Sequence, residues 1–119
     1  MDDLEQRARR ASDFLKALAN PDRLMILCMI SDRELSVGEL EAMLGLRQPT
    51  LSQQLARLRE DQLVSTRRAG KQIFYRLASE EVRRTIALLE DMFCDGEAMA
   101  DALRRARASR SELVPPGRG

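Results

Sequence analysis

The feature that most constrains the fold is a pair of short helical patterns within residues 36–58, separated by a glycine. The first pattern opens with Ser36 and Glu39, which form the S-x-x-E signature of a capping box. In a capping box the hydroxyl accepts a hydrogen bond from the third helical amide, and the carboxylate accepts one from the capping residue's own amide. The signature therefore predicts a short helix from about Val37 to Leu44.

The second helical pattern follows Gly45, which ends the first, and starts near Pro49, a residue suited to the first turn of a helix. Its apolar side is marked by leucines at spacings of four and three, which are Leu51, Leu55 and Leu58. Two short helices joined by a tight turn that contains glycine are typical of a helix-turn-helix.

The pattern changes period after this helical pair. The segments VSTRR and QIFYRL alternate on either side of residues 69–71, where Gly70 supplies a turn residue. Alternation around a turn of this kind predicts two strands joined as a β-hairpin. The predicted fold is therefore mainly α with a β-hairpin wing, which is a winged helix-turn-helix.

Three further helices are predicted around this unit. Asn20 and Pro21 form a helix start, and the following run places Leu24, Leu27 and Cys28 on one buried face. An earlier stripe predicts a first helix that packs on a partner, through Leu4, Ala8, Ala11, Leu15 and Leu18. Ser79 opens a long last helix whose stripe suits a dimer seam, with Leu89, Met92, Gly96, Met99 and Leu103.

The length of 119 residues predicts one domain, which we place at residues 1–108. The tail at residues 109–119 has two Pro, two Gly and little to bury, so it is predicted to be disordered. No apolar run approaches the ~20 residues of a membrane span, and the N-terminus lacks the hydrophobic region of a secretory signal. These features predict a soluble, cytoplasmic protein.

The net charge of +1 conceals an uneven distribution of charge along the chain. Residues 47–76 carry seven basic side chains against two acidic ones, a local net charge of +5. A basic block inside an otherwise acidic chain is typical of a phosphate-binding surface, although a merely solvated basic face has the same composition.

The second helix of the pair carries side chains suited to reading base edges in the major groove. Glutamine can pair with adenine and arginine with guanine, while serine and threonine can hold a base or a phosphate. The residues predicted to face DNA here are Gln48, Thr50, Ser52, Gln53, Gln54 and Arg57. On the hairpin, Arg67, Arg68 and Lys71 are predicted to meet the DNA backbone or the minor groove.

The strings LANPDRLMIL, ELSVGELEAMLGLRQPTLSQQLARLREDQLV and RRAGKQIFYRL together resemble the ArsR/SmtB family of bacterial winged-helix repressors. The resemblance covers roughly residues 14–104. It implies a homodimer built from the first and last helices, which binds an inverted-repeat operator in double-stranded DNA. It also implies that the repressor leaves the operator when it senses an inducer.

The chain lacks the thiol and histidine ligands that the family's usual metal sensors use. The thiols of the arsenic-type sensors would fall at Ser36 and Gly38, and the histidines of the zinc-type sensors are absent because the chain contains no His. Asp91, Asp95 and Asp101 would suit hard cations, yet carboxylates on a helix are usually a solvated face. No metal site and no cofactor are predicted.

The two cysteines, Cys28 and Cys94, are the remaining sensor candidates. Their placement is similar to that in the persulfide-sensing BigR/SqrR branch of the family, where one cysteine in each of these helices forms the sensor. The resemblance implies that a persulfide or polysulfide crosslinks the pair and releases promoters of sulfide-detoxification genes. Acidic neighbours such as Glu90 and Asp91 disfavour a thiolate at Cys94, and an inert, buried Cys28 is the plain alternative.

Other sensing chemistries remain open from the sequence. Peroxide or another thiol oxidant would join the same cysteines by a disulfide, and a thiophilic metal would bind both thiols. A thiol oxidoreductase is disfavoured because no C-x-x-C motif or histidine base accompanies the pair, so no enzyme and no catalytic residue is predicted. A protein adaptor without DNA binding would lack a steep dependence of DNA affinity on salt.

Overall fold

The computed structural model describes residues 2–93, and within them the chain forms five helices and three strands. In order these are α1 (Asp2–Leu18), α2 (Pro21–Met29), β1 (Leu35–Ser36), α3 (Val37–Leu44), α4 (Gln48–Glu60), β2 (Val64–Ala69), β3 (Gln72–Leu77) and α5 (Glu80–Phe93). The predicted order of helices and hairpin is confirmed. Strand β1 is an addition that the sequence did not predict.

The helix starts form as the capping residues predict. Asn20 caps α2, and its side chain accepts a hydrogen bond from the Arg23 amide at 3.1 Å. At α3 the Ser36 hydroxyl accepts from the Glu39 amide at 3.2 Å, and the Glu39 carboxylate accepts from the Ser36 amide at 2.9 Å. The capping box is therefore closed on both sides, and it fixes where the helix-turn-helix begins.

The turn between α3 and α4 depends on Gly45. This residue has φ 68°, in the left-handed region where a side chain is disfavoured, and its amide donates to the Glu41 carbonyl at 2.9 Å. α4 then begins at Gln48, with Pro49 in its first turn as predicted. The short turn holds α4 close to α3, which is the geometry of a helix-turn-helix.

The three strands form one antiparallel sheet in the order β1-β3-β2. Strand β1 pairs Leu35 with Tyr75 and Ser36 with Phe74, so the residue that caps α3 also belongs to the sheet. A two-residue strand is too short to show alternation, which explains why the sequence did not predict it. Its pairing ties the start of the helical pair to the hairpin.

The core lies between α2, α3, α4, the sheet and α5. The predicted leucine stripe of α4 is buried, and Cys28 keeps only 9% of its surface exposed. The predicted face of α2 is corrected in one respect: Leu24 is only half-buried, whereas Ile26 and Met29 are buried. Helix α2 is covered on several sides because it packs against α3, α4 and α5.

Apolar side chains remain exposed on α1 and α5 of the single chain. Leu4 and Leu15 are 69% and 60% exposed, and Met92 and Phe93 are 60% and 76% exposed. The predicted dimer stripe continues at Gly96, Met99 and Leu103, which lie outside the described residues, as does the predicted tail. Within residues 2–93, no helix is long and apolar enough to cross a membrane.

Ser36→Ala is expected to destabilise the domain by about 0.5–2 kcal/mol, because it leaves one side of the capping box open. Urea unfolding followed by circular dichroism measures this as a lower midpoint. The matched control is Ser12→Ala, which alters an exposed serine within α1 and should leave the midpoint nearly unchanged. Equal midpoints for the two variants would show that the capping box contributes nothing measurable.

Candidate DNA-binding face and cysteine site

The predicted DNA-facing residues of α4 fall into two groups. Gln48, Ser52, Gln53 and Arg57 are exposed, whereas Thr50 and Gln54 are half-buried. Thr50 and Gln54 are four residues apart and lie along the edge of the buried leucine stripe, not opposite it as predicted. The fully exposed group therefore forms the centre of the face that α4 presents to solvent.

Two polar contacts orient this face of α4. The side-chain amide of Gln48 lies 3.0 Å from both carboxylate oxygens of Glu41 when its nitrogen faces them, which joins the start of α4 to α3. Arg57 donates from Nε to Asp61 at 3.1 Å, yet its side chain remains 61% exposed. An exposed pair at this spacing contributes only about 0.3–0.5 kcal/mol, so a DNA group can replace Asp61 at little cost.

The hairpin of β2 and β3 carries exposed basic residues around its turn at Gly70. Gly70 has φ 64°, the left-handed conformation that the tight turn requires. Arg68 and Lys71 lie beside this turn and form no ion pair with any other described residue. These two positive charges are therefore available to an external anion.

Arg67 differs from its neighbours because it is already paired. Its Nε donates to both carboxylate oxygens of Glu34, at 3.0 and 3.2 Å, and its guanidinium lies 4.8 Å from the centroid of the Phe74 ring. The hydrogen bond from Arg67 is the main cause that lowers the pKa of Glu34 below its ordinary value.

Glu34 and Arg76 were absent from the residues predicted to form the site. A second, longer ion pair joins Arg76 to Glu34 at 3.9 Å, and Arg76 Nε donates to the Ser65 hydroxyl at 3.3 Å. Strand alternation could have indicated that Arg76 faces solvent, because its neighbour Tyr75 is buried and successive side chains point to opposite faces of a strand. Glu34 has no such signal, because its role depends on the pairing of β1 with β3.

Of the two predicted sensor cysteines, the structure describes Cys28 and not Cys94. Cys28 lies in the last turn of α2, a helix that packs against α5. Arg83 of α5 donates a hydrogen bond to the Ser31 carbonyl just beyond α2, and also lies 3.5 Å from Glu80. The end of α2 is thus fastened to the start of α5, and Cys94 follows the last residue of α5, Phe93, in the sequence.

The two positions at which arsenic-type sensors carry their thiols have structural roles in this chain. The Ser36 hydroxyl caps α3, and Gly38 in the first turn has no side chain to offer a metal. Within residues 2–93, no three His, Cys, Asp or Glu side chains converge into a group that could hold a metal ion.

Comparison with known proteins identifies the family. Residues 20–66 match the model described as bacterial regulatory protein, arsR family. A biofilm growth-associated repressor of Agrobacterium fabrum is 54% identical over 94 residues, which are 79% of this chain and 80% of that protein. The chain belongs to the ArsR family. The predicted family is confirmed, and the matched relatives are transcription regulators, not enzymes.

Solved structures confirm the winged helix-turn-helix of this ArsR-family chain. Reduced HlyU from Vibrio cholerae matches with a TM-score of 0.76 and 48% identity, covering 80% of this chain and 100% of that chain. The transcriptional repressor BigR from Xylella fastidiosa matches with a TM-score of 0.73 and 48% identity, covering 78% and 92%. The homodimeric DNA-binding domain Mb0332 from Mycobacterium bovis matches with a TM-score of 0.67 and 33% identity, covering 77% and 85%.

Proposed function

We propose that this protein is a homodimeric transcriptional repressor that binds an inverted-repeat operator and is released when reactive sulfur species crosslink Cys28 and Cys94. The observation that carries the DNA-binding part is the exposed polar face of α4 beside a basic hairpin. In this arrangement α4 enters the major groove, where Gln53 and Arg57 reach base edges. Arg68 and Lys71 contact the backbone or the minor groove.

The exposed apolar residues of α1 and α5 support the dimer. Leu4, Leu15 and Met92 would be costly to leave in water, and burying them against a second copy would remove that cost. A two-fold dimer presents two copies of α4, which must be about 34–36 Å apart to enter successive major grooves. The spacing of these two helices is therefore the quantity that a sensor must change.

The sensing step is written as sulfur transfer followed by crosslinking. Each cysteine thiolate attacks the outer sulfur of an organic persulfide, which forms a protein persulfide and releases the parent thiol. The persulfide at one cysteine then attacks the inner sulfur of the other and expels hydrogen sulfide, which leaves a trisulfide. A trisulfide spans more than the roughly 5.5–6 Å between Cα atoms that suits a disulfide, so a larger separation of the cysteines would favour it.

The position of Cys28 supports a link from this chemistry to DNA. α2 packs against both α3 and α4, so a pull on its last turn is transmitted to the helical pair. A crosslink to the dimer helix would restrain α2 relative to the two-fold axis, and thereby bias the spacing of the two copies of α4. The crosslinked state then binds the operator more weakly because its α4 helices no longer match the grooves.

The test combines intact mass with operator binding on the same samples. Reduced protein is treated with an organic persulfide, with hydrogen peroxide or with an organic disulfide. We expect that only the persulfide both releases the operator and adds the mass of one sulfur atom less two hydrogens. Release by peroxide to the same extent, with loss of two hydrogens alone, would replace this proposal with a disulfide sensor.

Thiophilic metals are tested in the same assay. Reduced protein is incubated with zinc or cadmium ions at a stoichiometric concentration, and a chelator is then added. Release that the chelator reverses, without a covalent change in mass, would assign the two cysteines to metal sensing. We expect the operator to remain bound under these conditions.

A further inference from the structure

The Glu34 carboxylate holds two arginines of the hairpin at once. Its Oε1 lies 2.9 Å from Nη2 and 3.0 Å from Nε of Arg67, so the edge of the guanidinium that carries these two nitrogens faces the carboxylate. Arg76 lies 3.9 Å from the other oxygen of the same carboxylate. A single acidic group is thus shared between adjacent strands of the wing.

The register of the sheet places these groups on one outward face. Arg67 is opposite Phe74 and Ser65 is opposite Arg76 in the β2–β3 pairing, while the intervening Tyr75 is buried. Arg67 and Arg76 both remain exposed despite their ion pairs, with side chains 50% and 59% accessible. The paired arginines are therefore within reach of an approaching phosphate.

We propose that Glu34 competes with DNA phosphates for Arg67 and Arg76, and so restrains the binding of this protein to DNA that lacks the operator. The inference rests on the proposed placement of the wing against DNA. Carboxylate and phosphate suit the same guanidinium fork, so the two anions exclude each other at Arg67. Glu34 occupies the position that a phosphate oxygen would take.

The competition acts most strongly where base contacts are missing. On the operator, contacts from α4 hold the wing close to the backbone, so the local phosphate concentration is high and exchange from Glu34 is favoured. On other DNA the complex depends on phosphate contacts alone. Each phosphate must then displace Glu34 from an arginine without help from base contacts. Glu34 therefore weakens non-operator binding more than operator binding.

The test uses Glu34→Gln, which removes the charge and keeps the size of the side chain. We expect affinity for non-operator DNA to rise on the order of tenfold at low salt, and the salt slope to steepen by about 2 if one arginine per subunit gains a phosphate, or by about 4 if both do. Each added phosphate contact contributes about 0.9 to that slope, and the dimer carries two copies of Glu34. Operator affinity should rise less, so the ratio of operator to non-operator affinity falls.

Two further comparisons serve as controls. Glu81→Gln removes the same charge from an exposed glutamate at the start of α5, and should change neither the affinity nor the slope appreciably. In the Arg67→Gln/Arg76→Gln background, adding Glu34→Gln should have no further effect, because the arginines that it restrains are gone. If Glu34→Gln does not fold, Glu34→Asp, which shortens the reach to Arg67, should give a smaller change in the same direction.

The outcomes separate this inference from the proposed function. If Arg67→Gln/Arg76→Gln weakens DNA binding while Glu34→Gln behaves like Glu81→Gln, the competition is refuted and the wing placement stands. Weaker non-operator binding by Glu34→Gln would also refute it, and would make Glu34 a residue that orients the arginines for DNA. If the double arginine variant and Lys71→Gln both leave the affinity and the salt slope unchanged, the proposed wing placement itself is wrong.

Discussion

Cys94→Ser is expected to give a repressor that binds its operator normally and remains bound after persulfide treatment. A serine hydroxyl accepts no sulfur from a persulfide, so no crosslink to Cys28 can form. Coupling between a sensor and a binding site is typically about 1–3 kcal/mol, which predicts that persulfide lowers the operator affinity of the unaltered protein about 5- to 150-fold. That entire decrease should be absent in the variant, as measured by fluorescence anisotropy of labelled operator DNA.

The complementary variant is Cys28→Ala and not Cys28→Ser, because Cys28 is buried in the core. Alanine removes the thiol, adds no hydroxyl to the core and leaves only a small cavity. Cys28→Ala should also remain on the operator after treatment, and its Cys94 should gain sulfur without crosslinking. Normal release of Cys94→Ser by persulfide would remove this cysteine from the sensor.

The helix boundaries were predictable because their signals are local. The capping box of Ser36 and Glu39 and the cap at Asn20 each depend on side chains within three residues of the helix start, and both form as predicted. Strand β1 was not predictable, because two residues carry no period and the strand exists only through its pairing with β3. The interactions of Glu34 were missed for the same reason.

The candidate site was predictable only where helical periodicity determines whether a side chain of α4 faces the core or the solvent. The spacing of the α4 leucines correctly placed Gln53 and Arg57 outward, since residues between the buried positions must face solvent. Periodicity does not show how far neighbouring elements extend over the edge of a stripe, which is why the half-burial of Thr50 and Gln54 was missed. The ion pair of Arg67 depends on a residue 33 positions away along the chain.

Gln53→Ala is expected to lower operator affinity strongly while leaving non-operator affinity unchanged. Gln53 is exposed in the middle of α4 and makes no contact that the fold requires, so alanine should preserve stability. One bidentate contact from glutamine to adenine is worth about 1–3 kcal/mol of discrimination, and the substitution occurs in both copies of a dimer. The expected loss is therefore about 2–6 kcal/mol, or roughly 30-fold to 20,000-fold.

The salt dependence of binding distinguishes base reading from phosphate binding at Gln53. A residue that reads a base holds no phosphate, so Gln53→Ala should leave the salt slope unchanged, whereas Lys71→Gln should reduce it by about 1 for each phosphate that the lysine neutralises. Gln6→Ala, an exposed glutamine in α1, is the matched control and should alter neither quantity. An equal loss of affinity for operator and non-operator DNA in Gln53→Ala would place this side chain on the backbone instead of in the groove.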